Sequence, residues 1–158
     1  MAPPGRWVLL AYRLPREPST PRIAVWRKLK RLGAAQLVDG LVTLPLDSRN
    51  REQLEWLADD VLEAGGQSWL WIAGPGTAGQ ERALAAGLQA AIVEQYRVLI
   101  AEARTAAAAA SPGGPRTLAR LRRELERIRR RDYFPPPERE EARRAVEAVA
   151  VALERRAA

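Results

Sequence analysis

Neither cysteine nor histidine occurs anywhere in the 158 residues. That removes thiol nucleophiles, disulfides, Ser-His triads and the usual zinc sites together. A metal could be held only by carboxylates, and acid–base work could fall only to Asp, Glu, Lys or Tyr. Lysine is scarce as well: Lys28 and Lys30 are the only two, and arginine carries the remaining positive charge. No run reaches the ~18 apolar residues of a membrane helix. The apolar stretch in MAPPGRWVLLAYR is too short and too soon interrupted for a secretory signal. These absences set the expectation of a cytoplasmic protein that is not an enzyme and uses no cofactor or metal.

What is present is a chain with 47% apolar residues, enough for a core in one domain or in a small domain with an appendage. Its net charge of +7 is unevenly spread. Residues 1–73 hold 10 Lys/Arg against 8 Asp/Glu, residues 74–110 hold 3 against 3, and residues 111–158 hold 13 against 8. The basic excess therefore lies mostly in the last third.

Residues 7–12 form a continuous apolar run, the pattern of a strand buried on both faces. After a Pro-containing loop, Ser19 or Thr20 can cap a helix with Pro21 in its first turn, and Gly33 ends it. At 100° per residue, Val25, Trp26, Leu29 and Leu32 share one side of this helix. Arg27, Lys28, Lys30 and Arg31 take the other. Residues 35–38 and 41–44 flank Asp39-Gly40, a pair suited to the positive φ angles of a two-residue hairpin turn. Asp47 or Ser48 caps a second helix with Leu54, Leu57, Ala58 and Val61 as its stripe, and Gly65-Gly66 stops it. Residues 68–73 are a fourth strand, with Trp69 and Trp71 on one face and Leu70 and Ile72 on the other. The order β-α-β-β-α-β predicts an α+β, ferredoxin-like sheet domain over residues 1–76. Two helices cover one face of such a sheet; the other must be met by the C-terminal helices or by another subunit.

Residues 77–158 read as a helical region, with a long helix over 78–110 and an antiparallel helical hairpin over 115–157. Residues 111–115, SPGGP, break the first from the second. Leu118, Leu121, Leu125 and Ile128 make one stripe, Pro135 to Pro137 interrupt it, and Ala142, Val146, Val149 and Leu153 make a matching one.

Of the motifs with possible chemistry, Gly74-Pro75-Gly76-Thr77-Ala78-Gly79 fits GxGxxG between a strand and a helix. Proline sits where a phosphate loop must stay permissive, and no second strand ending in an acid follows, so the segment reads as a linker. Asp59-Asp60 and Glu140-Glu141 are adjacent carboxylates that diverge on a helix and read as solvated faces. Trp7, Trp26, Trp69 and Trp71 read as core; Trp56 lies off its helix's stripe and reads as exposed.

Two basic segments remain. Around the first helix, Arg16, Arg22, Arg27, Lys28, Lys30 and Arg31 stand on one surface with no acid between Glu17 and Asp39. Residues 116–131 hold eight arginines against Glu124 and Glu126, among them Arg120, Arg123, Arg127, Arg130 and Arg131. Both suit phosphate contacts with DNA. For the first, an ordinary solvated helix face is the competing reading; for the second, it is a salt-bridged helix meeting the acids from Glu138 onward.

The segments WVLLAYRLPREPS, RIAVWRKLKRLGA, QLVDGLVTLP, REQLEWLADDV and LRRELERIRRRDYFPPPEREEARRAVEAV occur in the order of the N-terminal region of the ChrB family, which the chain resembles over nearly its whole length. The helix pattern WR-x-L-K-x-L-G is also similar to the ferredoxin-like part of PaaX-type repressors. ChrB proteins are chromate-responsive bacterial regulators of chromate efflux, and full-length members continue into a further C-terminal domain. The resemblance implies a transcriptional regulator of chromate resistance that binds DNA through basic helices. It implies a homodimer, with chromate or another oxyanion as effector. The alternative is a non-catalytic interaction or dimerisation module of the same system that does not touch DNA.

Overall fold

The computed structural model describes residues 4–158, so the first three residues of the expected sheet domain lie outside the described part. Two compact units divide between Ala86 and Gly87.

In the first unit, the strands β1 (Trp7–Arg13), β2 (Ala35–Val38), β3 (Leu41–Pro45) and β4 (Gln67–Ala73) form one antiparallel sheet in the order β2-β3-β1-β4. With α1 (Thr20–Leu32) after β1 and α2 (Ser48–Glu63) after β3, this is the expected ferredoxin-like arrangement. Gly33 ends α1 in the left-handed region at φ 71°. Asp47 caps α2 by accepting the Asn50 backbone N–H at 2.7 Å, and the buried Asn50 side chain donates to the Pro45 carbonyl at 2.9 Å. The hairpin turns at Gly40, φ 76°, whose carbonyl accepts the Tyr12 N–H at 2.8 Å.

Register sorts the side chains. Val8 lies opposite Leu44 and Ile72, and Leu10 opposite Val42 and Leu70, so these residues share a face. Val8, Leu10, Val42 and Leu44 are buried, together with Val25 and Leu29 of α1 and Leu54, Leu57 and Val61 of α2. Each such side chain stabilises the fold by ~1.5–3 kcal/mol relative to exposure.

On the opposite face, Leu9 lies between Thr43 and Trp71, and Ala11 between Leu41 and Trp69. Here the tryptophan assignment needs correcting. Trp7 is buried, but Trp69 and Trp71 are 67% and 58% exposed, and Trp26 of α1 is 55% exposed. Trp56 is exposed, as its position off the stripe implied. Trp7 owes its burial to the start of α3 (Ala78–Ala109), where the Glu81 carboxylate accepts its indole N–H at 2.8 Å and the Gly5 N–H at 2.7 Å. The first turns of α3 thus go with the sheet. The glycine-rich segment joins β4 to this helix, with the Thr77 hydroxyl accepting the Gln80 N–H at 3.1 Å.

The second unit contains the rest of α3, α4 (Gly114–Arg130) and α5 (Glu138–Ala157). The two stripes meet as expected: a β-carbon on Gly114, in the first turn of α4, would lie 2.2 Å from Leu153 Cδ2 near the end of α5. The hairpin is not the whole core. Ile92, Tyr96, Leu99, Ile100 and Ala103 of α3 join Leu121, Leu125, Ile128, Ala142, Val146 and Val149 in one buried cluster. The alanines around α3 leave little contrast between its faces, which hides the 4-3-4 spacing of Ile92, Tyr96, Leu99 and Ala103. Phe134 is buried in the turn before α5, where its carbonyl accepts the Gln89 side chain at 2.9 Å. Among the described residues, no helix is long and apolar enough to cross a membrane.

Candidate nucleic-acid interface

The basic surface of the first unit follows from how α1 is anchored. Val25 and Leu29, one turn apart, are its two buried residues and set its inward direction. Trp26 then lies about 80° from that direction and Leu32 about 40°. The indole is therefore at the margin of the buried stripe and turns outward. Lys30, one turn on, places its Nζ 5.1 Å from the centre of the Trp26 ring, a cation–π contact.

The cations divide by direction. Lys28 faces α2 and pairs with Asp60, so this member of the expected cluster is already engaged. Arg22, Arg27, Lys30 and Arg31 are exposed. Arg22 Nη1 donates to the Arg16 carbonyl at 3.4 Å, which draws the loop residue Arg16 to the same surface. Among the described residues, Arg13, Arg22, Arg27 and Arg31 form no ion pair.

Arg13, Arg22 and Arg27 line one open cleft of about 880 Å³ together with Trp26, Tyr12, Gln36 and the Asp39-Gly40 turn. Burial pushes the Tyr12 hydroxyl above its ordinary pKa of 10.0, and the nearby Asp39 carboxylate adds to the effect. Tyr12 thus remains a neutral donor at physiological pH. Gln36 Nε2 donates to Asp39 Oδ1 at 3.2 Å, occupying part of the one acid at the rim. The cleft can accept an anion on guanidinium groups while presenting an indole edge and ring. Arg13 was missed from the sequence. It ends the apolar strand, and only the fold shows that strand end meeting α1.

The second basic segment is arranged differently. Arg120 pairs with Glu102 of α3 at 2.9 Å, Arg127 with Glu124 at 3.2 Å and Arg129 with Glu126 at 3.3 Å. Arg131 donates to Gln95 at 2.7 Å, lies 3.7 Å from Glu124 and has a side chain only 17% exposed. Arg123 and Arg130 are exposed. The acid partners of Arg120, Arg127 and Arg129 thus stand on α3 and on α4 itself. The acids from Glu138 onward pair instead with α3 and α5: Glu138 with Arg97, Glu141 with Arg104, and Glu140 with Arg143 and Arg144. Among the described residues, no cluster of acidic side chains is arranged to hold a metal ion.

A ferredoxin-like sheet domain with an arginine-lined cleft, followed by a helical unit whose arginines largely meet acids, defines a basic α+β protein. The chain belongs to the ChrB N-terminal family: the family described as "Protein ChrB, N-terminal" matches residues 22–109, more than half its length. Protein ChrB of Cupriavidus metallidurans is 30% identical over 138 residues, which cover 85% of this chain and 42% of that protein. The match therefore spans less than half of the relative. No solved structure matches the chain.

Proposed function

We propose that this chain is a DNA-associated regulator in chromate resistance, holding phosphates with α1 and the cleft beside it. The observation that carries this reading is the set Arg13, Arg22 and Arg27, three arginines free of ion pairs among the described residues and lining one concave surface. Each phosphate neutralised by such a residue releases condensed counterions, so affinity falls with salt. Membership of the ChrB family supplies the link to chromate resistance. The protein acts in the cytoplasm as a binding protein rather than an enzyme. An oxyanion effector would meet the same guanidinium groups, so chromate is expected to compete with DNA.

The test is binding of the purified chain to its own upstream promoter fragment and to scrambled DNA, at low and moderate salt, with and without chromate. Preference for the promoter and release by chromate support the regulator. Equal, strongly salt-dependent binding to both DNAs reduces the reading to a general anion surface. No binding to either favours the interaction module, which the engagement of the α4 arginines with acids already suits.

A further inference from the structure

Trp26 is the only aromatic residue of α1, is 55% exposed, and lines the same cleft as Arg13, Arg22 and Arg27. Phosphate binding needs the cations alone. The core does not need the indole either, since Val25 and Leu29 are the buried residues of this helix. Lys30 holds the ring from one face at 5.1 Å, which steadies it without covering it. What the ring adds to an anion site is a flat apolar surface suited to stacking on another flat ring. The rim of the cleft has the same preference. A carboxylate such as Asp39 repels phosphate, which offers it only acceptors, but can accept from the amino group of a base. Gln36, bonded to Asp39 at 3.2 Å, and the neutral Tyr12 hydroxyl each donate as well as accept.

We propose that the cleft holds an unpaired nucleotide of a DNA strand, with its base stacked on Trp26 and its phosphate on the cleft arginines. Shape disfavours a paired nucleotide. The cleft, about 880 Å³, falls among concavities of ~300–1,000 Å³ that take a compact molecule whole. A double helix, whose major groove alone is ~12 Å wide, meets such a cleft only at its rim. Its bases are also stacked on one another, so no face is left for the indole. An unpaired base has a free face whatever its identity, so the stack tolerates any sequence while the arginines track the backbone. Resting on the DNA reading above, this site deepens it: the chain engages a strand where it is opened or splayed, and not only the outside of the duplex.

Anisotropy titrations of the full chain test this with three probes: a single strand of ~12 nucleotides, the same strand built of stable abasic units, and the duplex of that sequence. The wild-type chain is expected to bind the intact strand about five- to hundredfold tighter than the abasic one, the range that base–aromatic stacking spans. Trp26→Leu loses that preference but keeps its affinity for the abasic strand. It also keeps the salt slope, because no charge is removed. Trp26→Phe retains most of the preference, and Trp56→Leu, at an exposed position on α2, retains all of it. Should Trp26→Leu fail to fold, Trp26→Gln, suited to an exposed helical position, replaces it. Equal binding of intact and abasic strands by the wild type overturns the stacked base while the DNA reading stands. So does a folded Trp26→Leu that keeps the preference, or binding to the duplex with none to the single strand. No binding to any of the three probes overturns the DNA reading itself, and the stacked base with it.

Discussion

The hydroxyl of Tyr96, fully buried on α3, donates to Asp132 Oδ2 at 2.7 Å at the far end of α4. The other oxygen of that carboxylate, Oδ1, is buried without a hydrogen-bond partner. Burial is the largest influence on Asp132 and holds its pKa above the ordinary 3.8; the Tyr96 bond, the charges of Arg139 and Arg129 and a Phe134 backbone bond pull downward without offsetting it. The folded chain therefore keeps this proton to a higher pH than the unfolded chain does. Between 3.8 and the raised value the folded state binds more protons, so this group's contribution to stability falls as the pH rises and levels off above it.

Replacing Asp132 with Asn removes the charge and leaves an amide oxygen to accept the Tyr96 hydroxyl. Urea unfolding from about pH 4 to about pH 7 should then show the variant gaining on wild type as the pH rises through that window. A difference that is constant with pH would contradict this account. Tyr96→Phe acts in the other direction. It removes the Tyr96 hydroxyl from a buried carboxylate that keeps only the Phe134 backbone bond and the charges of Arg139 and Arg129, and should cost ~1–3 kcal/mol.

The sheet domain was legible because its signals are local. Gly33, Asp39-Gly40 and Asp47 each fix a helix end or a turn through backbone conformation or one short hydrogen bond. What escaped depends on neighbours distant in sequence. Alternation gives the face of the strand on which Trp69 and Trp71 stand but not what lies over it, so the sequence alone places both in a core and the fold leaves them exposed. The pairing of Lys28 with Asp60 was hidden because Asp59-Asp60 read as solvent-facing on its own helix, and only the placement of α1 beside α2 brings the charges together. Arg13 joined the cleft for the same reason. The α3 contribution to the helical core was obscured by alanine, which is apolar enough to blur a stripe and too small to mark one.

Gly40 provides a sharp test of the hairpin. A β-carbon there would lie 2.5 Å from the Tyr12 carbonyl oxygen, and its φ of 76° is one that side chains other than Asn and Asp adopt at a cost. The clash is with backbone, so no side-chain rotation relieves it. Gly40→Ala should destabilise the first unit by more than ~1 kcal/mol. It should also perturb the cleft, because the turn forms part of its rim. Urea unfolding measures the first effect, and DNA titration of the folded variant measures the second.

The Lys28–Asp60 pair gives a prediction of opposite sign to ordinary charge removal. Both side chains are more than a third exposed, 44% and 38%, so the pair is worth at most ~1 kcal/mol of stability. Asp60→Asn deletes a negative charge beside the basic surface and frees Lys28. DNA affinity at low salt should rise several-fold, with melting nearly unchanged. Lys28→Met should weaken binding less than Arg27→Gln does, since the arginine has no acid partner among the described residues. Anisotropy titrations of the three variants at one salt concentration order these effects. An Asp60→Asn variant that binds no better than wild type would place Lys28 away from the DNA.

Salt dependence separates the two basic segments. Removing one phosphate-neutralising residue should flatten the plot of log K against log salt by about 0.9. Arg22→Gln with Arg27→Gln deletes two guanidinium groups that have no acid partner among the described residues, and should reduce the slope by nearly 2. Arg120→Gln with Arg127→Gln deletes the same formal charge. These two arginines, however, are bonded to Glu102 and Glu124, and binding DNA through them would first require breaking those pairs. Their replacement should lower affinity modestly through the long-range field and leave the slope close to that of wild type. If the α4 pair instead produced the larger change, the phosphate-binding surface would belong to the helical unit, and the cleft beside Trp26 would need another ligand.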